Sequence, residues 1–126
     1  MALKQLYLDY NRNITGGISS SINGLVNAER LRFGHTSMGG FLPDELFHLT
    51  NLKEFGIPYN NFGGQLVPEF WLNFTKLEDL DLSFNDFSGL LPNIFLSFDD
   101  LGTYLRSRRC SVKLDSANFD ITCRGT

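Results

Sequence analysis

The sequence predicts a solenoid of stacked coils, an α/β repeat fold in which every coil contributes one short strand to a shared parallel sheet. Three observations predict it: a register of 24–25 residues, a period-two apolar pattern early in each repeat, and a period-three pattern late in it. A unit this small cannot bury its own apolar side chains, but it can when stacked on a neighbour.

The apolar residues Leu3, Ala28, Leu52, Leu77 and Leu101 are spaced by 25, 24, 25 and 24 residues. From each of the first four, apolar side chains follow at +3 and +5: Leu6 and Leu8, Leu31 and Phe33, Phe55 and Ile57, Leu80 and Leu82. That alternation is a short strand with one buried face. A polar residue stands at +8 (Asn11, Thr36, Asn60, Asn85), and then a glycine (Gly16, Gly40, Gly64, Gly89). Two residues on comes an apolar side chain (Ile18, Leu42, Leu66, Leu91), and Ser19, Pro43, Pro68 or Pro92 closes the loop. Beyond it apolar residues recur at every third position, as in Leu46, Leu49 and Leu52 or Trp71, Phe74 and Leu77. Three residues is the period of a 3₁₀ segment. The first and third repeats carry one extra residue before the closing Ser or Pro, a change that loops absorb at little cost.

Stacking aligns the strands about 4.8 Å apart in a parallel sheet. The twelve phenylalanines are expected to fill much of the interior, each worth roughly 1.5–3 kcal/mol when fully buried. The polar column has another task. An asparagine amide offers two donors and an acceptor, enough to satisfy backbone groups of its own coil and the next. Thr36 has a single donor, so its rung is expected to be weaker. The glycines permit positive φ or a close backbone approach.

The segment 77–92, LEDLDLSFNDFSGLLP, resembles the plant-type leucine-rich repeat, LxxLxLxxNxLxGxIP. That subclass occurs in receptor-kinase ectodomains, receptor-like proteins and polygalacturonase inhibitors. The resemblance covers residues 3–105. It implies a leucine-rich-repeat solenoid with a concave parallel β-sheet, a second short sheet beside it and a 3₁₀-helix-rich convex side. It also implies a concave face that binds proteins or peptides.

The pattern fails after Leu101 and Tyr104, where Arg106 takes the next inward position. A solenoid needs a polar cap at its end, so residues 1–105 are assigned to the repeats and 106–126 to a C-terminal cap. At the other end the repeat begins at Leu3 with no cap. The apolar end of the first coil would meet water, which calls for upstream sequence or for a partner covering the edge.

Bulk properties narrow the function. With 11 basic and 14 acidic side chains the formal charge is −3, which argues against nucleic acid as a partner. No apolar run approaches the roughly 20 residues of a membrane span. The segment Met1–Gln5 lacks the regions of a signal peptide. Either the protein stays in the compartment that made it, or the sequence is a mature or trimmed piece. No metal or cofactor is expected, because no ligand spacing or nucleophile–base motif is present. His35 and His48 read as ordinary surface histidines.

Cys110 and Cys123 fall in the assigned cap. They form either a disulfide or a pair of reduced, partly buried thiols, and the resemblance favours the disulfide. Asn13-Ile14-Thr15 and Asn73-Phe74-Thr75 are glycosylation sequons, with Asn73 at an outward position of a 3₁₀ stretch. Register places Tyr7, Tyr10, Arg30, Arg32, Tyr59, Asp79, Asp81 and Phe84 on the outward side of the strands, as the expected partner-binding strip. Tyr10, His35, Tyr59 and Phe84 form one column there, readable as binding anchors or as local packing.

The function expected is therefore non-enzymatic binding of a protein or peptide on the concave face. The resemblance adds an extracellular or lumenal setting, as a fragment or short member of a receptor- or inhibitor-like family. Two other readings remain: a structural subunit docked in a larger assembly through its uncapped end, and a carbohydrate-binding wall protein using the aromatic column.

Overall fold

The computed structural model describes residues 2–97, 110–114 and 118–124. The first coil gives β1 (Gln5–Tyr7) and β2 (Thr15–Gly16), and the second gives β3 (Arg30–Arg32) and β4 (Ser37–Phe41). The third gives β5 (Glu54–Gly56) and β6 (Asn61–Leu66), and the fourth gives β7 (Asp79–Asp81) and β8 (Asp86–Pro92). The first strand of each coil joins a four-stranded sheet in the order β1-β3-β5-β7, parallel throughout. Leu6, Leu31, Phe55 and Leu80 stand opposite one another across it, as the +3 register requires. Its hydrogen bonding runs on past the strand ends, through Phe33 N–H to Gly56 O and Ile57 N–H to Asp81 O, both 2.9 Å.

A second sheet lies beside the first, β2-β4-β6-β8 parallel and then reversed. β9 (Cys110–Leu114) and β10 (Asn118–Cys123) pair antiparallel with each other, and β10 pairs antiparallel with β8. Cys110 and Cys123 oppose each other across β9 and β10 and are joined in a disulfide. Gly89 shows why each coil needs its glycine: φ is +115°, and a Cβ would lie 2.7 Å from the backbone of Leu66.

One continuous apolar cluster fills most of the interior, with Leu31, Leu46, Leu52, Phe55, Leu80 and Leu82 among its buried members. Trp71 packs edge-on against Phe47, Phe74 and Phe95. The phenylalanines do not all go inside. Phe41, at the end of β4, is 79% exposed, and Phe70, on the short helix that follows β6, is 38% exposed, because both lie outside the inward register.

The convex side has 3₁₀ segments at Ser20–Gly24, Asp44–His48 and Asn93–Ser97. The third coil departs from this. Its extra residue, Val67, gives the chain slack to close an i→i+4 bond from Leu72 N–H to Pro68 O (3.2 Å), so the turn is a short α-helix, α1 (Pro68–Trp71). Asn73 therefore follows an α-turn, not a 3₁₀ stretch.

The first coil is open at its outer side. Leu3 is exposed, and Leu6, Leu8, Ile14, Ile22 and Leu25 are only partly covered. The expected failure of the fifth repeat at Leu101–Arg106, and with it the 105/106 boundary, lies outside the described residues. Among the described residues no helix is long and apolar enough to cross a membrane.

Candidate functional site

Three columns of side chains run across the coils at the end of the concave strands. The innermost is the polar column. The Asn85 amide donates to Ile57 O in the coil before it (2.7 Å) and to Leu82 O in its own (3.3 Å), while its Oδ1 accepts Phe62 N–H at 3.0 Å. Asn60 repeats the pattern one coil back, donating to Phe33 O and Ile57 O. Its Oδ1 accepts from the Thr36 hydroxyl at 2.6 Å and from Thr36 N–H at 3.0 Å. Among the described residues Asn11 donates to Leu8 O and Asp9 O, both in its own coil.

One residue earlier stands the aromatic column. Tyr10, His35, Tyr59 and Phe84 hold φ between 55° and 63°, a left-handed backbone rare outside glycine. The turn demands it, since the N–H of the first three still completes the sheet, Tyr10 to Gly34 O, His35 to Pro58 O and Tyr59 to Ser83 O. The rings then stack with centroids 4.3, 4.1 and 4.0 Å apart and planes within 18° of parallel. Packing and exposure thus coexist: the inner rings are half-buried, while Tyr10 ends the stack 76% exposed.

The third column is charged. Arg32 lies over Gly56, whose missing side chain makes room for it. Its guanidinium reaches Glu54 at 2.9 Å on one side and Asp9 at 3.3 Å on the other. Partial burial opposes the Arg32 charge, but Glu54 and Asp9 outweigh it and hold the group above its ordinary value. Arg30 also approaches Glu54 (3.7 Å), and the Tyr7 hydroxyl donates to it at 3.4 Å. Asp79 titrates above the usual carboxylate range: partial desolvation and the Glu54 charge raise it, against the pull of Arg32.

Of the expected strip, the structure gathers Tyr7, Arg30, Arg32 and Asp79 around Glu54, and Tyr10, Tyr59 and Phe84 in the stack. Asp81 differs. It is 1% exposed and accepts the Ser83 hydroxyl and amide on Oδ1, so it is covered and not an outward contact. Glu54 and Asp9, outward by register but outside the expected strip, and Arg12, which no register position signals, also belong to the site. Arg12 donates to Thr36 O at 2.6 Å, across a coil boundary. Register alone signals Glu54, which occupies the strand position of Arg30 and Asp79. Asn13 and Asn73 are both exposed.

The Leucine Rich Repeat family model matches residues 76–98. Among solved structures, the plant peptide hormone receptor RGFR1 in complex with RGF2 is similar, with TM-score 0.63 and 25% identity over 68% of this chain and 14% of the receptor. The BIR3–SERK2 complex from Arabidopsis thaliana is similar at TM-score 0.63 and 26% identity, over 68% of this chain and 45% of that one. The chain has the fold of the plant-type leucine-rich-repeat solenoids. A plant ice-binding protein is also similar to this leucine-rich-repeat protein, with TM-score 0.57 and 29% identity over 65% of the chain and 26% of its own length. The leucine-rich-repeat protein thus spans under half the length of each of these structures. No curated protein matches it.

Proposed function

We propose that this leucine-rich-repeat protein is a non-enzymatic module that binds a protein or peptide on its concave face, outside the cell or in a lumen. The observation that carries the reading is the pairing of a stacked aromatic column with a charged band on one sheet. Their side chains are already held by stacking and ion pairs, so a partner pays little ordering entropy to use them. The open contacts are Tyr7, Tyr10, Arg30 and Asp79, with the edges of Arg32, Tyr59 and Phe84 between them. The similarity to a peptide hormone receptor supports the same reading. N-glycans on the exposed Asn13 and Asn73 fit a secreted protein and leave the strand faces clear.

The test is selection of binders from a displayed random-peptide library, followed by affinities for concave and convex variants. Tyr10→Ala, Tyr59→Ala and Arg30→Ala are expected to weaken binding by about tenfold or more, while Val26→Ala and Leu72→Ala on the exposed convex side change little. Binding that survives the concave variants but falls with Leu3→Ala or Leu6→Ala overturns the reading in favour of a subunit docked through its open first coil.

A further inference from the structure

A groove lies away from the concave face, between the second and third coils, where β4 and β6 meet the convex turns. It encloses about 250 Å³ and is walled by Phe41, Phe47, Leu66, Val67, Phe70 and Trp71. Its origin is local. The third coil's extra residue, Val67, turns the segment after it into α1 where its neighbours carry 3₁₀ turns. Gly64 leaves the floor bare: φ there is +104°, and a Cβ would meet the Phe41 ring at 2.9 Å. Phe41 thus lies across the β6 backbone as one wall, with 79% of its surface in water.

The charge around this apolar floor has one sign. Asp44 lines the groove, no lysine or arginine does, and Glu45 and Glu69 flank it in sequence. Among the described residues none of the three acids makes an ion pair. We propose that the groove is a second docking site, distinct from the concave strip, for a peptide segment with a bulky apolar side chain next to a lysine or arginine. The apolar side chain enters between Phe41 and Phe70, and the cation meets Asp44.

Trp71, the only tryptophan in the chain, is a wall of the groove and reports on it directly. The experiment titrates the whole chain with two probes, N-acetyl-Phe-Arg-amide and N-acetyl-Phe-Glu-amide, following Trp71 emission and backbone amide shifts. The arginine probe is expected to bind about fivefold tighter than the glutamate probe, shifting residues 41–44 and 63–71 and leaving Tyr10 and Tyr59 unmoved. Phe41→Ala should abolish saturable binding, and Asp44→Lys should reverse the preference. Both side chains are on the surface, so neither variant threatens the fold. Equal binding of the two probes, a preference that Asp44→Lys does not reverse, or shifts confined to the concave strip overturns the proposal. So does a Phe41-dependent dimer of the free protein, which would make a second copy the occupant.

Discussion

His35 stacks on Tyr59 with ring centroids 4.1 Å apart, and both rings are borne by left-handed backbone at φ 55° and 59°. Backbone strain and ring stacking oppose each other at each of these positions. Tyr59→Gly relieves the strain and loses the stack, whereas Tyr59→Ala loses the stack and keeps the strain. The alanine variant is expected to be the less stable of the two by about 1 kcal/mol, on a common loss of about 1–3 kcal/mol for two ring pairs. Urea unfolding of both decides it. An alanine variant as stable as the glycine one removes the strain argument.

Asn85→Ala is expected to destabilise more than Thr36→Ala. Asn85 bonds Ile57 O and Phe62 N–H across a coil boundary; without it Phe62 N–H is stranded, at roughly 1–3 kcal/mol, and Ile57 O keeps only its longer bond from Asn60. Without the Thr36 hydroxyl, Asn60 Oδ1 still accepts Thr36 N–H. Equal urea midpoints for the two variants would sink this account of the column.

These two columns mark how far the sequence could be read. The strand register followed from Leu6, Leu31, Phe55 and Leu80, because a one-residue slip would turn an apolar face to water. The asparagine column followed from chemistry, since a buried turn needs donors. The left-handed backbone under Tyr10 and Phe84 did not follow, because neither residue type announces it. The Arg32 clamp needed lateral contacts 22 and 23 residues away, and it needed the gap over Gly56. The antiparallel return of β10 onto β8 lies where the repeat ends, so no periodicity pointed to it.

The Cys110–Cys123 bond staples β9 to β10. Intact mass of oxidised protein should fall two hydrogens short of the reduced form. Reduction should lower stability by about 3 kcal/mol in the chain-entropy account, and hydrogen exchange should rise first in β9 and β10. Two free thiols in protein secreted through an oxidising compartment would contradict this bond.

Asp79 supplies a pH test. Its folded-state titration is raised, so the native protein holds this proton more tightly than the unfolded chain. Stability therefore falls as pH rises from the ordinary aspartate range through the raised folded value, and levels off above it. Asp79→Asn lacks that fall. It is expected to gain on the parent across the same window by a few tenths of a kcal/mol, about the scale of an exposed charge pair. Thermal melts at pH 3 to 7 measure the difference, and a gap that narrows with rising pH would show the sign to be wrong.

Val67 carries a consequence for how this molecule can change length. The third coil holds one residue more than the second, yet β4, β6 and β8 stay in one parallel register. Registry is thus set by lateral bonding at the strand ends, where Asn60 and Asn85 bridge adjacent coils, and not by residue count. The coil has a tolerant arc and an intolerant one. Insertions between Leu66 and Pro68 meet the tolerant arc, which makes it the place to graft a foreign loop, while one residue added between Leu80 and Asn85 would throw both sheets out of phase.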